Sequence, residues 1–160
     1  MSSVSVRLLR GLRIPVVGAL LLLGAPSVRA QDGASRDAAP PVAGVTVGDS
    51  AAAVRVALGE PGQRHESFGF VVWDYPQRGL TLMWDRDERT VRVMVLSRPG
   101  AGAVDGVRVG DAASSMQARW GSPARVRQDG RFFDFVRRRW TVTGEVVGGV
   151  VKEITVQLLD

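Results

Sequence analysis

The single histidine, His65, and sixteen acidic side chains are the groups in this 160-residue chain suited to proton transfer. An imidazole titrates near neutral pH, and an adjacent carboxylate can orient it for general acid–base work. The one pairing of that kind in local sequence is His65 with Glu66. No serine or cysteine motif supplies a nucleophile, and Gln63-Arg64-His65-Glu66 reads as a polar edge or loop. Asp85, Asp87 and Glu88 are close enough in sequence to surround a calcium ion. They lack the glycine and distal glutamate of a twelve-residue calcium loop, and read as a solvated hairpin tip. Asp74 and Asp134 recur between aromatic residues, in Trp73-Asp74-Tyr75 and Phe133-Asp134-Phe135. Duplication explains that match without chemistry. No catalytic residue, metal ligand or cofactor site is assigned.

Two absences narrow the remaining classes. The chain has no cysteine, which excludes disulfides, thiolate metal sites and a lipid-anchoring cysteine. One histidine excludes a zinc centre built on two or more within one chain. The formal charge of +5 and the pI near 11 point first to nucleic acid. Four arginines lie in the first thirty residues with no acid; without them 17 basic side chains (21 less these four) face 16 acidic ones. A near-neutral body provides little sequence-independent attraction to phosphates, so no nucleic-acid partner is expected.

The first thirty residues look like an address. Arg7, Arg10 and Arg13 precede the apolar run Ile14 to Ala25, and Val28-Arg29-Ala30 offers a small-residue cleavage site. That is the layout of a secretory signal peptide, cut after Ala30. Twelve apolar residues are too few to span a bilayer as a helix. The expectation is a periplasmic or secreted protein with no stable membrane anchor after cleavage. Residues 31–41, small, polar and proline-ended, read as a flexible leader.

The body carries one pattern twice. Val42 to Pro61 (VAGVTVGDSAAAVRVALGEP) and Val104 to Pro123 (VDGVRVGDAASSMQARWGSP) share nine identities in twenty positions. Asp49 and Asp111 follow a glycine and precede a helical run, the position of an N-cap. Ser50 to Leu58 and Ala112 to Trp120 are then short helices, with Val54/Leu58 and Met116/Trp120 four apart on one face. Gly59 and Gly121 end them, and Pro61 and Pro123 prevent their resumption.

Strand-like sequence follows each helix. In the first half Ser67 to Tyr75, Gly79 to Trp84 and Thr90 to Leu96 have strand character. In the second, Ala124 to Gln128, Arg131 to Val136, Arg138 to Thr143 and Val150 to Leu158 do, with turns at Asp129-Gly130 and Gly148-Gly149. The expected fold class is α+β: two tandem repeats, 42–99 and 104–160 joined by 100–103, each a short helix followed by three or four antiparallel strands. Neither half is long enough to bury much alone, so they should share a core or one continuous sheet.

The string G-V-x-V-G-D-x-x-x-x-V-x-x-x-L-G-x-P, followed by Trp73-Asp74-Tyr75 and Gly79-Leu80-Thr81-Leu82, resembles the SmpA/OmlA (BamE-type) module. The tandem arrangement is similar to the beta-lactamase inhibitor protein repeats. The resemblance spans Val42 to about Leu158 and implies a non-enzymatic protein that works through protein contacts. The lipoprotein cysteine of the first family and the disulfides of the second are absent.

All ten aromatic residues fall within the body. Strand alternation places Trp73, Tyr75, Phe133 and Phe135 on one face, and Phe68, Phe70 and Phe132 on the other. Arg137 and Arg139, with Arg125 and Arg127, can form a basic stripe across the strands, or pair with Asp129 or Asp134 on an ordinary exposed face. A face combining aromatics and arginine has the composition of a protein contact. The expected partner-binding residues are Trp73, Tyr75, Phe133, Phe135, Arg137 and Arg139, engaging an envelope or extracellular protein. A small extracytoplasmic enzyme using His65 and a purely structural envelope protein are the alternatives.

Overall fold

The computed structural model describes residues 38–160. The expected signal peptide and most of the leader lie outside the described residues. Of the leader, 38–41 are described: Pro40 is buried and the Ala39 carbonyl accepts from Thr46 Oγ1 at 3.0 Å, so this end is packed.

Eight strands build one antiparallel sheet. They are β1 (Gln63–Ser67), β2 (Phe70–Tyr75), β3 (Leu80–Trp84), β4 (Val91–Leu96), β5 (Arg125–Arg127), β6 (Phe132–Val136), β7 (Trp140–Val147) and β8 (Val150–Leu158). Their order across the sheet is β1-β2-β3-β4-β8-β7-β6-β5. Among the described residues, helices α1 (Ala51–Leu58) and α2 (Ala113–Trp120) and one 3-10 turn (Pro99–Ala101) accompany the sheet.

This corrects the α+β expectation of tandem helix-plus-strand repeats: the chain is mostly β. The sheet runs unbroken through the proposed boundary, because β4 pairs with β8 at its centre (Met94 opposite Val156, Leu96 opposite Ile154). The helices are too short to form a layer. Each has eight residues; α1 buries only Val54, and α2 only Met116 and Trp120.

The capping expectation also changes. Asp49 and Asp111 do not cap helices. Asp49 Oδ2 accepts from the Thr46 amide and Asp111 Oδ2 from the Arg108 amide, each at 2.8 Å, closing the loop that precedes the helix. Ser50 is the N-cap of α1, accepting from the Ala53 amide, whereas Ala112 stands at the N-cap of α2 without a side-chain bond. Each loop begins with a tight turn of two left-handed residues, Ala43-Gly44 and Asp105-Gly106. Reciprocal bonds close those turns between Val42 and Val45 and between Val104 and Val107. Each loop is then stitched to the start of a central strand, Gly48 N and Asp49 O to Val91, Gly110 N and Asp111 O to Val151.

The core occupies the sheet face under the helices. Trp73, Leu82, Trp84, Met94, Ile154, Val142 and Phe135 are fully buried there. Trp73 and Trp84 meet at 4.7 Å between ring centroids, and Trp120 of α2 meets Phe135 edge-on at 5.2 Å. Such pairs add about 0.5–1.5 kcal/mol to the burial of their area. No helix among the described residues is long and apolar enough to cross a membrane.

Candidate functional site

Side chains alternate across a strand, so the register that sends Trp73, Leu82, Met94 and Val156 toward the helices sends their neighbours to the other face. On that face, from β2 to β8, stand Val72 and Asp74, Thr81 and Met83, Val93 and Val95, Thr155 and Gln157. From β7 to β5 come Thr143 and Glu145, Phe132 and Asp134, then Arg125 and Arg127. Both described helices pack on the opposite side. This open face is the candidate functional surface.

Two hydrogen-bonded groups mark its flanks. Asp74 Oδ1 accepts from Thr81 Oγ1 at 2.6 Å, and His65 Nδ1 lies 3.5 Å from Asp74 Oδ2. On the far side Asp134 Oδ1 accepts from Thr143 Oγ1 at 2.9 Å, and Arg127 grips both carboxylate oxygens at 2.7 and 2.9 Å. The Arg127 bonds hold the Asp134 carboxyl below the usual carboxylate range against the opposing effect of burial, with help from Thr143. Between these flanks lies an apolar belt of Met83, Val93 and Val95, half-buried over a buried Val72. Glu145 and Glu153 face each other across β7 and β8. Desolvation first, and the Glu145 charge second, push the Glu153 carboxyl upward.

The structure redistributes the expected contact residues. Trp73 and Phe135 are fully buried and Tyr75 nearly so, all beneath the helices, which corrects their expected role as partner contacts. Alternation grouped them correctly on one face; it could not show which face the helices cover. Trp73 Nε1 donates to Glu88 at 3.0 Å, and Tyr75 Oη donates to the Gly59 carbonyl at 3.1 Å while burial pushes its phenol upward. Phe133 is half-buried against the core. Arg137 turns to the end of α2, donating to the Trp120 carbonyl at 2.9 Å, and Arg139 is exposed in the β6–β7 turn. The four arginines do not form one basic stripe: Arg125 and Arg127 lie on the open face, where Arg127 pairs with Asp134, and Arg137 and Arg139 lie in a turn beyond the strand. The aromatics that do face the open side are Phe70 and Phe132, with the Arg127 and Arg131 guanidinium groups 5.2 and 5.4 Å from the Phe132 ring.

His65 has a carboxylate, but not the one nearest in sequence. Adjacent strand residues point to opposite faces, so Glu66 leaves the open side; Asp74, opposite Gln63 in the next strand and diagonal to His65, takes its place. The dyad sits on an edge strand with its imidazole half exposed, and only Thr81 joins it. A recess of about 220 Å³ lined by Asp74, Pro76 and Arg98 opens to solvent. Among the described residues no three His, Asp or Glu side chains are grouped to hold a metal ion. Asp85 instead ties its own turn, accepting from the Arg89 and Thr90 amides, and Glu88 receives Arg64 and Trp73.

No family profile matches the chain, and no curated protein matches it in sequence. Solved structures do resemble it. A DUF4309 family protein (YjgB) from Bacillus subtilis superposes with a TM-score of 0.50 at 13% identity, over 69% of this chain and 78% of its own. An extracellular SCP-domain protein from Bacillus anthracis gives 0.47 at 10% identity, over 69% of this chain and 43% of its own. A cysteine-rich secretory protein from Staphylococcus aureus gives 0.49 at 8% identity, over 70% and 43%. At these identities the likeness to the Bacillus subtilis protein is one of fold.

Proposed function

We propose that this chain is an exported, non-enzymatic module that binds an envelope or extracellular protein through the open face of its sheet. The observation that carries the reading is the composition of that face: an apolar belt of Met83, Val93 and Val95, bordered by threonines and by the Asp74 and Asp134 hydrogen-bonded groups. A dry centre with a polar, hydrogen-bonded rim is the general anatomy of a protein interface. Phe132 between Arg127 and Arg131 adds the residue types enriched at binding hot spots. The arginine-flanked apolar run in the first thirty residues supports export. Catalysis finds less support, since the His65–Asp74 pair has neither a nucleophile nor an enclosing pocket beside it.

The test is site-specific photo-crosslinking in the native host. A photoreactive residue at Met83 or Val95 should trap one discrete partner, and the same residue at Ala52 on the exposed side of α1 should not. Equal adducts at both places, or none at Met83 and Val95, would count against the face.

A further inference from the structure

We infer that two copies of this chain pair edge to edge through β1, antiparallel about a twofold axis at His65. The inference concerns the edge of the sheet and stands apart from the binding reading of its face. The β1–β2 hairpin closes on the two residues Phe68-Gly69, so Ser67 and Phe70 form a hydrogen-bonded pair. Such pairs alternate along an antiparallel ladder. Gln63 and His65 therefore direct their amides and carbonyls to β2, while those of Arg64 and Glu66 point away from the sheet.

Antiparallel pairing centred on His65 sets Arg64 opposite Glu66 of the second copy, and Glu66 opposite its Arg64. Gln63 meets Ser67. The outward main-chain groups of Arg64 and Glu66 fall at the hydrogen-bonded positions, and the side chains opposite each other carry opposite charge. Arg64 already binds Glu88, but a guanidinium has five donors and can serve both carboxylates.

The other edge shows the contrast. β5 reads Arg125-Val126-Arg127, and the same operation would bring Arg125 against Arg127, like charge on like. A same-sign edge is how natural sheets prevent such contacts. The order Arg-His-Glu on β1 has the opposite effect, because it is self-complementary.

Phe68 fits the same arrangement. Its ring is 96% exposed at the hairpin tip, and it follows Ser67, whose place in the pairing is opposite Gln63. The ring then arrives beside Pro61 and Gly62 of the second copy. The axis stands normal to the sheet, so the open faces of both copies remain on the same side. Main-chain bonds and two ion pairs make a small interface, so a concentration-dependent dimer is expected.

Sedimentation velocity on the processed chain from its host, over a concentration series, should show the mass rising from one chain to two. Glu66→Pro removes an outward amide without touching the β2 ladder and should abolish the rise. Glu66→Arg should weaken the dimer about tenfold by facing Arg64. Because the chain lacks cysteine, His65→Cys gives an independent readout. Facing residues at a non-hydrogen-bonded position come close enough for a disulfide. Mild oxidation should link His65→Cys chains and leave Val126→Cys chains single. A native chain that stays monomeric throughout, a dimer indifferent to Glu66→Pro in a folded variant, or equal linking at both cysteines would overturn the inference.

Discussion

The thioether of Met116 occupies the space that a side chain on Gly144 would need: a Cβ on that glycine would overlap the sulfur. Gly144 is a buried residue of β7, opposite Ile154, and Met116 is fully buried in α2. The helix approaches the sheet this closely because the strand has no side chain there. Gly144→Ala should therefore lower stability by about 1–3 kcal/mol through overpacking. Met116→Ala should cost about 2–5 kcal/mol through the cavity it leaves. In the double variant the new methyl fills part of that cavity, so the two losses should sum to more than the loss measured. Urea denaturation of the four proteins gives the coupling, and strict additivity would mean that the contact does not limit the packing.

Asp134 supplies a pH-dependent part of the stability. Its carboxyl is held below the ordinary range chiefly by Arg127. A depressed folded-state pKa contributes stability that is present above the unfolded value and lost as pH falls through the folded value. Asp134→Asn should cost about 1–3 kcal/mol at neutral pH, as for a bond to a charged group. The difference from the native chain should vanish at acid pH, below that depressed value. Thermal melts across that range check it, and a difference that persists in acid would remove Arg127 as the cause.

Glu153 has the opposite sign. Burial and the facing Glu145 raise its carboxyl, so the folded state favours the protonated form. That preference is fully expressed below the unfolded value and lost as pH rises through the folded one. At neutral pH the pair opposes folding, and Glu153→Gln should stabilise by about 0.2–1 kcal/mol, the size of a cross-strand term. The gain should disappear in acid. Arg131, which already binds Glu145, must stay in place for the comparison, since its loss would strengthen the repulsion.

Much of the local structure could be read from the sequence, and the global arrangement less so. Val54, Met116 and Trp120 point inward as their spacing requires, and β8 has the expected bounds. The strand β1 was hidden because Gln63-Arg64-His65-Glu66-Ser67 has no apolar alternation; an edge strand with both faces wet does not need one. The helix caps are not legible in the sequence because an aspartate after a glycine can bond forward to a helix or back to its own loop, and Asp49 and Asp111 bond back. The candidate surface was displaced for a related reason. Period-two patterning sorts Trp73 and Tyr75 from Val72 and Asp74, but it does not say which set the helices cover. The His65–Asp74 and Arg127–Asp134 contacts depend on register between strands, which spacing within one strand does not encode.

Substitution on the two faces separates contact from folding. Val95→Lys adds charge to the apolar belt at a half-exposed position. It should leave the melting temperature nearly unchanged and abolish partner crosslinking from Met83. Trp73→Ala should cost about 3–5 kcal/mol as a large-to-small core change, and it also leaves Glu88 without the indole donor. A soluble, folded Trp73→Ala chain that loses only binding would return that residue to the surface.

Phe68 offers a substitution with a predicted gain. It has φ of 49° and Gly69 has 83°, the pair of left-handed residues that a two-residue hairpin turn requires. Asparagine adopts that backbone readily and a bulky aromatic does not, at a strain of order 1 kcal/mol. The exposed ring returns almost no burial within its own chain. Phe68→Asn should therefore raise the stability of the monomer by about 1 kcal/mol. If the ring rests on Pro61 and Gly62 of a second copy, the same variant should also weaken the dimer. Denaturation at low concentration and sedimentation at high concentration measure the two effects separately. A more stable variant with unaltered association would show that Phe68 plays no part in the contact between copies.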